Sequence, residues 1–329
     1  MSDPANPRVL DPRAIEEEIV RIRERESNPY SSGVKTNLFT LVIFRSADPD
    51  APGASDHVES ALAFLLGKRP ARIISIHQAR APKTEVWVSG RCYPDRRNRG
   101  VCFEEVRIES GDDGVGADPG AWAPLVIRDL PVFAWMPDGL AAAVHQWTPA
   151  LQGAAGLIDK LLVDSSRGPE DRAAVIDALA RMRDATADAF LVSDFSWRRS
   201  KVLREQAARA FDPPEMRVLL TKVRSARLYG ASRLEAWLFF QWLSSRLGRE
   251  IPGEHAWEGP LNEGFRLTIS MDEAPDVEIG CTKGGCIERG EEKGAYRFPT
   301  DGEVLLEEVD TLARDSVFSE VLSRGRAAG

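Results

Sequence analysis

The chain has 329 residues, of which 43% are hydrophobic and 29% charged, which is enough apolar material for two cores of ordinary size. Its formal net charge is −8, and a mildly acidic protein has no general electrostatic attraction for nucleic acid or anionic lipid. The composition therefore predicts no nucleic-acid partner.

The first residues, the apolar stretches and the cysteines of the chain indicate its cellular compartment. The first residues, MSDPANPRVLDPR, lack the basic and apolar regions of a secretory signal. The stretches 38–44 and 234–247 are shorter than the roughly 18 apolar residues that a membrane span requires. Four cysteines in a long chain do not suggest a disulfide scaffold. We expect a cytoplasmic protein with no membrane partner.

The first predicted element is a helix that begins at Asp11 and Pro12, a good N-cap followed by a residue preferred at the first helical position. Ile15, Ile19 and Ile22 form one narrow apolar stripe along it. Such a stripe docks either onto its own domain or onto a partner, and the first reading is favoured.

Strands and helices then alternate. The pattern predicts strands at 37–44, 72–77, 130–135 and 161–164, a hairpin of strands 85–93 and 101–109, and helices at 57–66, 141–157, from residue 169 onward, and at 197–211. Alternation of this kind indicates βαβ units. The predicted fold class is α/β, with a mainly parallel sheet and the hairpin as an antiparallel addition.

The remainder of the chain has a different order of predicted elements. It predicts strands at 218–229, 265–271, 277–281, 286–289 and 295–298, and helices at 234–247 and 305–322. This reads as a smaller α+β domain. We therefore expect an N-terminal helical extension at 1–35, an α/β domain at 36–212 and an α+β domain at 213–329.

A search for catalytic chemistry finds no convincing site. The nearest to a nucleophile is Ser165, which follows a strand but belongs to no G-x-S-x-G elbow. An N-cap at a strand-to-helix turn explains this serine better, although the carboxyl end of a strand is also where open α/β sheets bind ligands. The segment 114–120 has the wrong glycine spacing for a phosphate loop. We predict no catalytic residue and no cofactor.

The cysteines allow three interpretations. A turn between two strands that end in Cys281 and Cys286 is favoured, because only four residues separate them. A redox pair formed by the same two residues comes second. A zinc site that also uses Cys92 and Cys102 comes last, because the spacing is wide and the four histidines are scattered. No metal site is predicted.

Several short segments in order along the chain resemble the OpcA family of bacterial glucose-6-phosphate dehydrogenase assembly proteins. The segments are Thr36-Asn37-Leu38, Arg69-Pro-Ala-Arg72-Ile-Ile74, Leu130-Pro-Val132 running to Trp135, Leu162-Val-Asp164-Ser165, Ser193-Asp194-Phe-Ser-Trp197-Arg-Arg199 with Arg204-Glu205, and Gln241-Trp-Leu243. Each motif is short, and their shared order makes the resemblance specific. It extends from about residue 36 to the C-terminal helix.

The resemblance implies a non-catalytic protein that binds glucose-6-phosphate dehydrogenase and favours its active conformation or oligomer. Such an allosteric activator would act in carbohydrate metabolism, in the oxidative pentose phosphate pathway, by protein–protein interaction alone.

The motif residues are our candidates for an interface or a ligand crevice: Arg69, Arg72, Trp135, Asp164, Ser165, Asp194, Trp197 and Arg204. Asp164 and Asp194 lie where strands give way to helices, so caps or ion pairs with the two first arginines are expected. Core packing is favoured over an interface for the two tryptophans.

One alternative stays open. A small-molecule enzyme, or a sensor of sugar phosphates or nucleotides, would use the crevice at the carboxyl ends of the strands near Arg72, Asp164 and Ser165. It predicts a pocket in which polar groups converge.

Overall fold

The computed structural model describes residues 10–27, 37–45, 56–66, 68–79, 81–94, 100–138, 140–167, 178, 189–259, 261–282, 285–288, 291–292 and 297–327. The described chain divides into two compact units. The first takes the described residues up to 167, residue 178, and 189–193 and 301–313. The second takes those of 194–300 and 314–327.

The first unit contains a seven-stranded sheet. Its strands are β1 (Thr40–Arg45), β2 (Arg72–Gln78), β3 (Glu85–Pro94), β4 (Gly100–Ser110), β5 (Val132–Met136), β6 (Lys160–Val163) and β7 (Leu191–Asp194), in the spatial order β3-β4-β2-β1-β5-β6-β7. The pairs β1–β2, β2–β4, β1–β5 and β5–β6 are parallel, whereas β3 and β4 form an antiparallel hairpin. The predicted α/β class, with its mainly parallel sheet and added hairpin, is confirmed.

The sequence makes these strands central. Every residue of β1 and β5 is buried, and both are apolar almost throughout, as strands covered on both faces must be. The helices of this unit are α1 (Pro12–Ser27), α2 (Asp56–Leu66), α3 (Pro119–Trp122), α4 (Leu140–Gly153) and α9 (Asp301–Val309). Without β3, the strand order is that of a doubly wound sheet, 3-2-1-4-5-6, which reverses direction between β1 and β5.

The N-terminal helix α1 packs on its own unit, as predicted. Ile15, Ile19 and Ile22 are buried, and a Cβ atom at Gly90 of β3 would lie only 2.7 Å from Cγ2 of Ile22. Gly90 therefore permits the helix to approach the hairpin closely.

The second unit contains a six-stranded sheet in the order β13-β12-β11-β10-β8-β9. The strands are β8 (Val223–Ala231), β9 (Gly253–Glu258), β10 (Gly264–Met271), β11 (Val277–Thr282), β12 (Gly285–Glu288) and β13 (Glu291–Glu292). Its helices are α5 (Phe195–Arg199), α6 (Lys201–Arg209), α7 (Pro214–Arg217), α8 (Arg233–Leu247) and α10 (Ser316–Ala327). Among the described strand pairs of this sheet, only β8 and β9 run parallel. The predicted smaller α+β fold is confirmed.

Helix α8 is buried nearly all round, as its sequence predicts. Leu234, Trp237, Phe239 and Leu243 are among its buried residues. A capping box fixes its start, because the side chain of Ser232 accepts from the backbone N–H of Glu235 and the carboxylate of Glu235 accepts from the backbone N–H of Ser232.

One predicted helix is wrong: residues 305–322 form two helices, α9 and α10, separated by residues 310–315. Asp315 caps the start of α10, because its carboxylate accepts from the backbone N–H of Phe318, 2.9 Å away, in the first turn of that helix. The two helices also belong to different units.

Other boundaries differ in detail. The predicted helix 197–211 breaks at Ser200 into α5 and α6, and the predicted strand 218–229 begins with a 3₁₀ turn at Val218–Lys222. Of the predicted strand 295–298, residues 295 and 296 lie outside the described residues, and 297–298 form no strand.

The predicted helix from residue 169 also lies outside the described residues, except for residue 178. The domain ranges 1–35, 36–212 and 213–329 stay a prediction and are not the same as the two compact units described above.

Candidate functional site

The carboxyl edge of the parallel sheet holds a buried ion pair at the point where the strand order reverses. Arg45 is the last residue of β1, and Asp138 follows β5. The guanidinium Nε donates to Oδ2 of Asp138 over 2.9 Å, and each side chain is 10% exposed. Oδ1 of Asp138 is buried with no hydrogen-bond donor in the described structure. This is the edge where doubly wound sheets bind ligands.

His77 lies beside Arg45 in the register of β1 and β2. Burial, together with the positive charges of Arg107 and Arg45, lowers the pKa of His77 to about 3. The imidazole is therefore neutral near pH 7 and serves as a polar but uncharged group at this edge.

Asp164 and Ser165 follow β6 at the same edge, and both are buried. Oδ1 of Asp164 accepts from the hydroxyl of Ser166 at 2.8 Å, and Oδ2 accepts from Nε of Arg167 at 3.0 Å. The guanidinium of Arg167 also contacts Asp301 of α9 at 2.6 Å. Asp164 therefore fixes the turn that leaves β6, and its cation is Arg167 rather than an arginine of the 69–72 motif.

Arg72 lies at the opposite edge of the sheet, which corrects the expected crevice. It begins β2, and parallel strands place their amino ends together. Its Nε donates to Oε2 of Glu104 over 2.9 Å, and its guanidinium also pairs with Glu16 of α1 and donates to the carbonyl of Leu125. The structure thus does not bring Arg72 together with Asp164 and Ser165, because the length of the sheet separates the two ends.

The other arginine of that motif, Arg69, holds α9. Its Nε and Nη2 donate to the two carboxylate oxygens of Asp310 at 3.0 and 2.8 Å, a bidentate pair at the end of the helix. Both side chains are about two-fifths exposed, 38% and 40%. Trp135, in contrast, is 1% exposed within β5, and this burial agrees with the favoured core packing.

Asp194, Trp197 and Arg204 form one cluster in the second unit. The carboxylate of Asp194 caps α5 by accepting from the backbone N–H of Ser196 at 3.1 Å. The indole N–H of Trp197 donates to Asp315 over 2.8 Å, which ties α5 to the start of α10. The guanidinium carbon of Arg204 lies 3.4 Å from the centroid of the Trp197 ring, a close cation–π contact.

Burial lowers the pKa of Arg204 to about 9, while the negative charge of Asp315 acts in the opposite direction. Its Nη1 donates to the carbonyl of Trp197 at 2.8 Å and to the hydroxyl of Ser200 at 2.7 Å. Arg204 therefore stays a cation near pH 7, and its hydrogen bonds connect α6 to α5 across the break at Ser200.

Cys281 and Cys286 are joined by a disulfide and occupy opposite positions of β11 and β12. They are 0% and 2% exposed, and both belong to the apolar core of the second unit. Cys92 and Cys102 also lie opposite each other in register, in β3 and β4.

Sequence reasoning missed the most deeply buried ion pair found in the first unit. Nζ of Lys160, at the start of β6, lies 2.5 Å from Oε2 of Glu308 in α9, and the side chains are 1% and 0% exposed. A lysine directly before the apolar run Leu161-Leu-Val163 was the available signal. The Arg45–Asp138 pair and His77 were missed as well, because their partners are distant in sequence.

Among the described residues, no group of three or more His, Cys, Asp or Glu side chains is placed to hold a metal ion. Within that same part of the chain, no helix combines the length and the apolar character that a membrane crossing needs.

The fold and the candidate residues define a two-part α/β protein whose motif side chains are engaged in caps, ion pairs and core contacts. Family models described as the N-terminal and the C-terminal domain of a glucose-6-phosphate dehydrogenase subunit match residues 65–182 and 191–322. The chain therefore belongs to the OpcA family of glucose-6-phosphate dehydrogenase assembly proteins, as its ordered motifs predict.

One curated relative is the OxPP cycle protein OpcA of Synechocystis sp. It is 23% identical over 186 residues, which are 55% of this chain and 37% of the relative, so the match spans just over a third of that protein.

Two solved structures match over most of the chain, with low sequence identity. The glucose-6-phosphate 1-dehydrogenase of Mycobacterium avium matches with a TM-score of 0.47 at 11% identity, over 86% of this chain and 90% of that one. A super-repressor mutant of Gal80p from Saccharomyces cerevisiae matches with a TM-score of 0.39 at 8% identity, over 88% and 84%.

Proposed function

We propose that this protein is a non-catalytic assembly factor that binds glucose-6-phosphate dehydrogenase and favours its active conformation or oligomer in the oxidative pentose phosphate pathway. The observation that carries the proposal is the match of both family models, in chain order, to residues 65–182 and 191–322. The curated relative is itself named as an OxPP cycle protein.

The geometry is compatible with a role exerted by binding alone. Asp164, Asp194 and Arg204 are engaged with a turn, a helix start and a helix break respectively. A protein that binds one state of an enzyme more tightly shifts the population toward that state by its difference in affinity, so the regulator needs no chemistry of its own.

The test mixes the purified protein with its cognate dehydrogenase and measures the oxidation of glucose 6-phosphate. We expect a saturable rise in activity and co-elution of the two proteins on gel filtration. An unrelated acidic protein of similar size, at equal concentration, controls for non-specific effects. Unchanged kinetics together with separate elution would contradict the proposal.

The same titration separates assembly from activation. If the factor promotes an oligomer, the gain in activity is largest at low dehydrogenase concentration, because mass action then limits assembly. If it favours an active conformation, the gain at saturating factor is the same at every dehydrogenase concentration.

A second candidate function is the binding of a small polar ligand at the carboxyl edge of the sheet. The observation in its favour is a buried oxygen, Oδ1 of Asp138, that accepts no hydrogen bond in the described structure. The other oxygen of the same carboxylate, Oδ2, accepts from Arg45. Glucose 6-phosphate and nucleotides are the probes, with thermal unfolding of the wild type and of Asp138→Asn as the measurement. A shift in the wild type that the variant loses would support this candidate, and equal curves with and without every probe would reject it.

A further inference from the structure

The sheet of the second unit has one apolar face and one polar face. Alternate residues of β8, β10 and β11 are buried on the apolar side, among them Leu228, Leu267 and Ile279. The intervening residues point the other way, because side chains alternate along a strand. They form what we call the open face: Ser225, Arg227, Tyr229, Arg266, Thr268, Ser270, Glu278, Gly280 and Thr282.

The middle of the open face places two large side chains beside a glycine. Arg266 of β10 stands between Tyr229 of β8 and Gly280 of β11 in direct register. A Cβ atom built at Gly280 would meet no atom of the described residues within 4 Å, so they leave room for a side chain at this position. Arginine and tyrosine are among the residue types that dominate binding energy at protein interfaces.

Of the three charged residues of the open face, one is paired and two are not. Arg227 pairs across the strands with Glu254 of β9, at 2.7 Å between Nη2 and Oε2. Arg266 and Glu278 are exposed, and neither forms an ion pair or hydrogen bond through its side chain in the described structure. Glu278 faces Thr268, two positions from Arg266, so the two charges lie on a diagonal about 7–8 Å apart.

We propose that the open face binds a second copy of this chain, in a two-fold dimer in which Arg266 of each copy meets Glu278 of the other. A two-fold interface brings the same surface to itself, so a face that carries one unpaired cation and one unpaired anion is complementary to its own copy. One two-fold axis in the plane between the faces satisfies both pairs at once. The inference does not depend on the proposed enzyme partner.

The size of the open face fits a weak dimer. The strands β9, β8, β10 and β11 span about 19 Å at about 4.8 Å each, and six residues extend about 20 Å along a strand. The face therefore offers about 400 Å² per copy, or about 800 Å² in total, which is the size of a weak, transient interface. We expect an association that depends visibly on concentration and on salt.

The experiment is sedimentation velocity of the full chain over a range of concentrations, with four variants. Arg266→Glu and Glu278→Arg each place like charges opposite each other twice per dimer, so each weakens self-association about tenfold or more. The double variant Arg266→Glu with Glu278→Arg restores both pairs and returns the association toward the wild-type value. Arg209→Glu makes the same charge change at an exposed position of α6 and leaves the association unchanged.

Three results would overturn the inference: a wild type that stays monomeric at every concentration, single variants that associate like the wild type, or a double variant no better than the single ones. Dehydrogenase binding is measured in parallel. If the wild type is monomeric and Arg266→Glu loses the enzyme instead, the open face belongs to the enzyme and not to a second copy. All substituted side chains are exposed, so circular dichroism should show unchanged folding.

Discussion

Lys160 and Glu308 lie 148 residues apart in the chain and form an ion pair that is almost completely buried. The lysine Nζ also donates to the backbone carbonyls of Glu308 and Thr311, at 3.1 and 2.8 Å. These three contacts fix the end of α9 against the first strand residue of β6. Arg167–Asp301 and Arg69–Asp310 hold the start of α9 and the residue just beyond its end in the same unit.

Loss of the lysine from this pair should be costly. Lys160→Met leaves the carboxylate of Glu308 without its cation inside the protein, so we expect the free energy of unfolding to fall by about 3–5 kcal/mol. Urea denaturation followed by circular dichroism measures the change. The double variant Lys160→Met with Glu308→Leu should recover most of the loss, because two apolar side chains then fill the site.

Arg69→Met is the matched control for that experiment. It breaks the pair with Asp310, but both side chains are far more exposed there, so the expected loss is about 1 kcal/mol or less. Equal losses for Lys160→Met and Arg69→Met would contradict the role assigned to burial.

The sequence predicts the parts of the fold that local patterns determine. Strand β1 is a run of apolar residues, and the hairpin of β3 and β4 shows alternation, so both were found within a few residues. Strand β9 was missed, because Gly253–Glu258 is mostly polar and reads as a loop when its single neighbour β8 is unknown.

The partners of the candidate residues could not be predicted, because tertiary contacts choose them. Glu16 and Glu104 lie 56 and 32 residues from Arg72, and no local pattern connects them. Likewise, α9 and α10 carry one continuous helical periodicity, and the separate packing of α9 against Lys160 is invisible in the sequence.

The contact of Trp197 with Asp315 should also stabilise the second unit. Trp197→Phe retains most of the ring but removes the N–H donor, so the carboxylate loses a hydrogen bond in a partly buried place. We expect a loss of about 1–3 kcal/mol in the free energy of unfolding. Trp135→Phe provides a comparison inside β5. If the loss at Trp197 persists in an Asp315→Ala background, the hydrogen bond is not its cause, because a double-mutant cycle removes the shared term.

His77 should make the stability depend on pH below neutrality. Its pKa is about 3 in the folded chain and 6.5 as the ordinary value, so the unfolded chain binds the proton more readily in between. Stability contributed by the neutral imidazole is therefore full above pH 6.5 and falls as the pH decreases toward 3, by at most about 1.4 kcal/mol per pH unit. The variant His77→Gln lacks this term. Urea titrations of both proteins between pH 7 and pH 4 should thus show a steeper loss of stability with falling pH for the wild type than for the variant, and parallel curves would contradict the assignment.

The disulfide between Cys281 and Cys286 offers a redox test of the proposed function. It closes a short loop between β11 and β12, so the double variant Cys281→Ser with Cys286→Ser should lose about 2 kcal/mol of stability. If the pair gates binding, a reductant changes the activation of glucose-6-phosphate dehydrogenase by the wild-type protein and has no effect with the double variant. The dehydrogenase alone, treated with the same reductant, is the control.

Both sulfurs are buried in the core of the second unit, so a reductant reaches them only when this hairpin opens locally. Hydrogen exchange in β12 should therefore rise with reductant in the wild type. Identical activation of the dehydrogenase by both proteins, oxidised and reduced, would limit the disulfide to a structural role.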